Sequence, residues 1–147
     1  MLTRWRRRPR LDAVSTIPAA EDVLDPDEAV YDLPEVADLL GIPVSKVHQH
    51  LKEGHLIGVR RNGKVVVPKI FFDHTGHVVK CLSGLIVVLQ DGGYHETEIM
   101  RWLFTADPSL TIRRDGSTEN QLNARPVDAL HSHQAREVVR RAQAMAY

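Results

Sequence analysis

Residues 31–68 read YDLPEVADLLGIPVSKVHQHLKEGHLIGVRRNGKVVVP, and this stretch decides the fold. Asp32 is a helix-capping residue, and Pro34 suits the first turn of the helix that follows it. Gly41 predicts the end of that helix, because glycine readily adopts the left-handed backbone found there. A second helical pattern begins within three residues, over 44–53, and its apolar face comprises Val44, Val47 and Leu51. Two short helices joined so tightly predict a helix-turn-helix.

A β-hairpin is predicted directly after the second helix. Two apolar segments rich in β-branched residues flank the run Arg60-Arg61-Asn62-Gly63-Lys64, and Pro68 closes the second segment. Asn-Gly favours a two-residue turn because both central residues then adopt positive φ. The predicted hairpin therefore has a cationic tip, in the position of a wing beside the helix-turn-helix.

The exposed side of the second helix carries groups that suit a DNA duplex. At 100° per residue the polar residues lie opposite the apolar face. We predict base-edge contacts in the major groove from Ser45, Lys46 and Gln49, with Gln49 central. Phosphate contacts are predicted from Lys52, Arg60, Arg61 and Lys64. The alternative is a merely solvated charged face on a helix pair that serves packing alone.

Zero net charge conceals a strongly uneven charge distribution. The chain has 19 Lys+Arg and 19 Asp+Glu in 147 residues. Residues 1–10 hold five arginines and no acid, whereas 11–43 hold nine acids and no Lys or Arg. Residues 44–80 hold seven bases and two acids, which is an excess of five positive charges. Such blocks indicate a charged partner, and the acidic stretch is a candidate cover for the basic surface when DNA is absent.

Other classes of function find little support. No phosphate-binding glycine loop or nucleophile elbow is present, so we expect a protein that is not an enzyme and needs no cofactor. His74 and His77 have ligand chemistry but lack the three or four convergent partners of a metal site, so no metal is predicted. The longest apolar run, 85–89, is far shorter than a membrane span. The lone cysteine, Cys81, fits a reducing cytoplasm, which is the predicted location.

The pattern over 31–68 resembles the winged helix-turn-helix of the MerR and excisionase type. The span from about residue 12 to 147 resembles a small actinobacterial family of winged-helix DNA-binding proteins with its own C-terminal helical domain. That wider resemblance is carried by the segments DVLDPDE, DGGYHETEIMRWLFTADPSL and ARPVDALHSHQAREVVRRAQAMAY. It implies a transcriptional regulator that binds double-stranded DNA.

The same resemblance implies control by a serine/threonine protein kinase. The threonine that accepts phosphate in the family corresponds here to Arg10, so the remaining candidate acceptors are Thr3, Ser15 and Thr16. The C-terminal half also resembles, more distantly, helical domains of antitoxins that bind a toxin and dimerise. An antitoxin-like or adaptor protein is therefore the alternative function, and a homodimer is a further hypothesis because helix-turn-helix proteins often bind as dimers.

The predicted fold is mainly α with a small β-hairpin wing. We predict a flexible arm over 1–29, a winged helix-turn-helix domain over 30–68 and a helical C-terminal domain over 69–147. Within the C-terminal domain, apolar periodicity and turn residues predict one helix ending at Gly92, a second around Ile99 to Phe104, and a last one running unbroken from Pro126 to Met145.

Overall fold

A computed structural model describes residues 17–113 and 118–147. Over these residues the fold is mainly α, with a small antiparallel sheet, as predicted. The strands are β1 (Val30–Asp32), β2 (Val59–Arg61) and β3 (Lys64–Pro68), and a 3₁₀ turn follows at Lys69–Phe71. The helices are α1 (Leu33–Leu40), α2 (Val44–Lys52), α3 (Leu82–Asp91), α4 (Glu96–Leu103), α5 (Pro126–Ala129) and α6 (Ala135–Ala146).

The helix-turn-helix is formed by α1 and α2, as the sequence predicts. Asp32 caps α1: its Oδ1 accepts from the Glu35 amide at 2.9 Å, and the Asp32 amide donates to Glu35 Oε1 at 3.0 Å. Gly41 ends α1 with φ of 68°, a left-handed conformation that glycine adopts without steric cost. The chain therefore reverses within three residues and enters α2 at Val44.

The start of α2 differs from the prediction in one residue. Val47 and Leu51 are buried as expected, but Val44 is 38% exposed and does not join the buried face. Side chains on a helix lean toward its N-terminus, so the side chain of the first residue extends past the end of the core. Pro43 precedes the helix and offers no side-chain cap; its carbonyl oxygen accepts from the Lys46 amide at 2.9 Å.

The wing is the hairpin of β2 and β3, and its turn has the predicted geometry. Asn62 and Gly63 have φ of 53° and 77°. The sequence did not indicate β1, which pairs with the other edge of β3 so that the strand order is β1-β3-β2. The wing is thus part of a three-stranded sheet with β3 at its centre.

The prediction of a flexible arm over 1–29 is wrong for its described part, residues 17–29. Ala20 is 1% exposed and forms a parallel bridge with Val59 on the outer edge of β2. The Ala20 amide donates to the Gly58 oxygen at 2.8 Å, and the Arg60 amide donates to the Ala20 oxygen at 3.0 Å. Since a strand edge has unpaired backbone groups, this segment supplies the hydrogen bonds that β2 lacks on that side.

The C-terminal part contains α3 and α4 where they were predicted, but the last helix is broken in two. Ser132 occupies the break, with its hydroxyl donating to the Ala129 oxygen at 2.7 Å and accepting from the Gln134 amide at 3.0 Å. A serine that bonds nearby backbone groups in this way favours a turn over a continued helix. The chain therefore changes direction between α5 and α6.

A single buried cluster joins the winged part to the C-terminal helices. Phe71, just after the wing, is fully buried and lies 5.8 Å from Phe104 between ring centroids. His131 contacts the Ile70 oxygen through Nε2 at 2.6 Å. The predicted boundary at 68/69 therefore divides two sets of elements that share one core. In the part of the chain that the structure describes, no helix is both long and apolar enough to cross a membrane.

Candidate nucleic-acid interface

The outer side of α2 carries the predicted base-reading residues in exposed positions. Val47 and Leu51 fix the inner side of the helix by packing into the core. The exposed set on the other side consists of Ser45, Lys46, Gln49 and Lys52. Hydroxyl, ammonium and amide groups on one helix surface can bond both base edges and phosphates. The structure therefore brings together the four α2 residues that the sequence singled out.

The wing supplies further cations, but its two arginines are placed differently. Arg60 and Lys64 are exposed, whereas the side chain of Arg61 is only 16% exposed. Lys64 pairs with Arg61 at the end of the hairpin, next to the Asn62-Gly63 turn. Two of the three wing cations thus remain accessible to a phosphate backbone.

Arg61 is held by the acidic segment that precedes the sheet. Its Nε donates to Asp22 Oδ2 at 2.7 Å and its Nη2 to Asp22 Oδ1 at 3.0 Å. The same guanidinium donates to the Asp25 oxygen at 3.1 Å and to the Glu28 oxygen at 3.2 Å. The hydrogen bond from Arg61 lowers the pKa of Asp22, and the same bond raises the pKa of Arg61. Arg61 therefore anchors residues 22–28 to the wing in this structure.

The start of the described chain lies beside the other wing arginine. Arg60 Nη2 donates to the Ile17 oxygen at 3.3 Å. The described part of the chain therefore begins beside the wing. The arginine-rich residues 1–10 and the candidate phosphoacceptors Thr3, Ser15 and Thr16 lie outside the described part of the chain.

The acidic segment also ties the wing to the C-terminal helices. Glu28 Oε1 accepts from Arg125 Nη1 at 2.6 Å, and Arg125 Nε donates to the buried Asp128 at 3.0 Å. The hydrogen bonds that Arg125 donates, chiefly to Asp128 and then to Glu28, raise the pKa of Arg125. The Glu21 amide donates to Thr97 Oγ1, at the start of α4, at 3.1 Å. Sequence reasoning missed this role, because Glu28 and Arg125 are 97 positions apart.

The described histidines do not belong to a group of three or more side chains that could ligate a metal. Across residues 17–113 and 118–147, no three His, Cys, Asp or Glu side chains are grouped as a metal site requires. His77, one of the two histidines considered as ligands, instead contacts Thr75 Oγ1 through Nδ1 at 2.8 Å.

Two protein families match this chain. Residues 16–72 match the family described as "DNA-binding protein Rv2175c, wHTH domain", and residues 79–146 match "Rv2175c C-terminal domain of unknown function". The chain belongs to the Rv2175c family. This confirms the predicted membership of a winged-helix family with its own C-terminal domain. The boundary between the two families, at 72–79, lies a few residues beyond the predicted one.

A relative and a solved structure from the Rv2175c family give the same result. "DNA-binding protein Rv2175c" of Mycobacterium tuberculosis is 70% identical over 137 residues, which cover 93% of this chain and 94% of the relative. An NMR structure of Rv2175c superposes with a TM-score of 0.82 at 71% identity and covers 90% of each chain. The winged helix-turn-helix and the C-terminal helical region are therefore shared with a protein of known structure.

Proposed function

We propose that this protein binds double-stranded DNA in a sequence-specific manner and regulates transcription through binding rather than catalysis. The observation that carries the proposal is the exposed polar and cationic side of α2, in a helix-turn-helix that is followed by a wing with two exposed cations. A major groove is wide enough for an α-helix, and its base edges differ for each base pair. The relative named as a DNA-binding protein supports this proposal through 70% identity over nearly its whole length.

Each residue has a defined role in this proposal. Gln49, at the centre of the exposed side, bonds an adenine through both ends of its amide, and Ser45 and Lys46 contact neighbouring base edges. Lys52, Arg60 and Lys64 neutralise phosphates. Arg61 is moved from this group: its role is to position the wing, because Asp22 and two backbone oxygens already bind its guanidinium.

The test is a duplex-binding titration of the full chain at several salt concentrations between about 50 and 200 mM, using duplexes selected from a random pool. Gln49→Ala is expected to change which duplexes are preferred, and Gln143→Ala, an exposed glutamine on α6, is the matched control. Lys52→Ala is expected to weaken all duplexes alike and to reduce the salt slope by about 1. Lys80→Ala, which replaces an exposed lysine that belongs to neither α2 nor the wing, is its control.

Two outcomes would contradict the proposal. The first is a full chain that selects no duplex from the pool and binds random duplexes no better than a neutral protein does. The second is a selected duplex whose affinity and sequence preference are the same for Gln49→Ala, Lys52→Ala and both controls. The second outcome would leave DNA binding intact but remove α2 from the groove.

Partners other than DNA stay predictions from the sequence. An apolar groove between α3, α4 and α6 favours the alternative of a module that binds a protein partner or a second copy. It is lined by Leu89, Tyr94, Ile99, Trp102 and Met145, among others. Sedimentation of the full chain with and without a selected duplex tests for the homodimer. Phosphate incorporation from a purified serine/threonine kinase, mapped by mass spectrometry, tests Thr3, Ser15 and Thr16.

A further inference from the structure

A cavity of about 560 Å³ separates the helix-turn-helix from the beginning of the C-terminal helices. Its walls are mainly apolar and include three imidazoles; the lining residues are Leu40, Ile42, His50, His55, Leu56, His77, Val78 and Ser83. This volume is within the range of about 300–1,000 Å³ that is typical of small-molecule sites. Apolar walls with a few convergent polar groups are also typical of such sites.

Two of the imidazoles form a hydrogen bond with each other at the edge of α2. His50 Nδ1, on α2, lies 3.1 Å from His55 Nδ1, and both rings are half-buried. One proton is shared across this contact, so each ring has its Nε2 as the remaining hydrogen-bonding group. In the neutral pair one Nε2 is a donor and the other an acceptor.

The third imidazole is oriented by its own loop. His77 Nδ1 lies 2.8 Å from Thr75 Oγ1, and the Thr75 hydroxyl donates to Asp73 Oδ1 at 2.5 Å. Because that hydroxyl already donates to Asp73, the His77 Nδ1–H must be the donor to Thr75. Hydrogen bonds, chiefly from Thr75, lower the pKa of Asp73 to about 2. Asp73 is therefore a fixed carboxylate that holds this loop through Thr75 and the His77 amide, and it does not line the cavity.

We infer that this cavity binds a small amphipathic monocarboxylate, with its hydrocarbon part against Leu40, Ile42 and Leu56 and its carboxylate among the imidazoles. The lining residues include three imidazoles and no acid, so imidazole N–H groups can donate to a carboxylate and no lining carboxylate repels it. The Ser83 hydroxyl, also in the lining, donates to the His55 oxygen at 2.9 Å. A metal ion is the other ligand that imidazoles suggest, but the described side chains lack the grouping that it needs. Ser83 lies in the first turn of α3, whose positive dipole end also favours a carboxylate.

A ligand in the cavity would affect the position of α2. His50 is on α2, one residue after Gln49, while His77 and Ser83 belong to the C-terminal part. A ligand that contacts both sides fixes the position of α2 relative to the C-terminal helices. If the ligand and the duplex favour different positions of α2, each lowers the affinity for the other by one common factor; if they favour the same position, each raises it by that factor. This regulatory step rests on the proposed function, whereas ligand binding itself does not.

The experiment is a titration of the full chain with phenylacetate, followed by NMR chemical shifts, with no DNA present. Saturable binding is expected with a dissociation constant on the order of 1 mM or tighter, as a ligand of about ten heavy atoms allows. The uncharged analogue 2-phenylethanol, which has a hydroxymethyl group in place of the carboxylate, is expected to bind at least tenfold more weakly. His50→Ala and His77→Ala should each raise the dissociation constant of phenylacetate at least tenfold. His77 is exposed on a loop, so its replacement keeps the test valid even if His50→Ala fails to fold.

His48→Ala is the matched control. It removes the same type of residue from the same helix, but each residue advances about 100° around α2, so His48 and His50 lie on different flanks. Only His50 lines the cavity. Absence of saturable phenylacetate binding would overturn the proposal. Equal losses in His48→Ala and His50→Ala, or equal affinity for 2-phenylethanol, would overturn it too. Because these readouts contain no DNA, they are independent of whether the protein binds a duplex.

Discussion

Arg60 and Arg61 are adjacent in the wing yet have different surroundings. Arg61 is mostly buried and donates to Asp22 and two backbone oxygens, whereas Arg60 is exposed and its side chain contacts the Ile17 oxygen. Neighbouring residues on a strand point to opposite faces of the sheet, which separates the two side chains. A single pattern of basic residues therefore contains one exposed cation and one that holds the fold together.

Replacing each arginine by alanine should therefore affect a different property: stability for Arg61 and duplex binding for Arg60. Arg61→Ala should lower the free energy of unfolding by about 1 kcal/mol, because it removes charge-assisted hydrogen bonds that are only partly screened by solvent. The corresponding fall in melting temperature is about 2–4 °C. Arg60→Ala should lower the melting temperature by less than Arg61→Ala does, because Arg60 is more exposed, and it should weaken duplex binding with a smaller salt slope. Thermal unfolding and salt-dependent titration of both variants check this, and a larger stability loss in Arg60→Ala would contradict it.

Asp22 gives this anchor a dependence on pH. Its pKa in the folded protein is below 3.8, chiefly because of the hydrogen bond from Arg61. A carboxylate with a lowered pKa stabilises the fold above its unfolded pKa, and that stability is lost as pH falls through the folded value. Wild type should therefore be more stable than Asp22→Asn at pH 7, and the difference should shrink below about pH 3.8.

Urea unfolding at pH 7 and below about pH 3.8 measures the difference in unfolding free energy between wild type and Asp22→Asn. Asp27→Asn is the control, because Asp27 is exposed in the same segment and makes no contact with Arg61. A gap between wild type and Asp22→Asn that persists undiminished at low pH would show that the ion pair is not its cause.

At the scale of elements, the first helix of the DNA-binding pair depends on its cap. Asp32 and Glu35 form a reciprocal capping box at the start of α1. Asp32→Ala should cost about 0.5–2 kcal/mol of unfolding free energy, since a helix amide loses its partner. Asp38→Ala is the matched control; Asp38 is exposed near the C-terminal end of the same helix, where a negative charge is unfavourable. Urea unfolding that gives equal losses for the two variants would exclude the cap as the cause.

Elements with strong local signals could be predicted from the sequence. The Asp32 cap, Gly41 and the Asn62-Gly63 turn each require a particular backbone geometry, and each was found where predicted. The exposed side of α2, with Gln49 at its centre, follows from helical periodicity alone. Val44 is the exception on that helix, because its exposure depends on the end of the helix rather than on the period.

Features that depend on distant partners could not be predicted. Strand β1 exists because β3 offers it an edge, and Ala20 is ordered because β2 offers another. The break between α5 and α6 depends on one serine within an otherwise helical pattern. The role of Arg61 required knowing that Asp22 lies beside it, although the two are 39 positions apart. Basic residues alone indicate a phosphate contact and a buried anchor equally well.

At the scale of the whole molecule, the zero net charge includes acidic and basic side chains that form ion pairs across distant parts of the sequence. The acidic segment neutralises Arg61 through Asp22 and Arg125 through Glu28, so part of the positive charge serves to join the wing, the sheet and the C-terminal helices. The lysines of α2, Arg60 and Lys64 stay exposed. The acidic segment thus acts as a structural connection, and it leaves the proposed DNA-contacting residues of α2 uncovered.

The basic arm, residues 1–10, should then add to duplex binding through charge. It holds five arginines, and Ile17, the first described residue, contacts Arg60 of the wing. Deleting residues 1–10 should weaken all duplexes alike and reduce the salt slope by about 1–4, since each phosphate neutralised contributes about 0.9. Sequence preference should not change, because phosphate contacts carry no base information. Replacing the five arginines by glutamine is the control for chain length, and it should reproduce the deletion; a full-length glutamine variant that binds with the wild-type salt slope would show that the arm makes no phosphate contact.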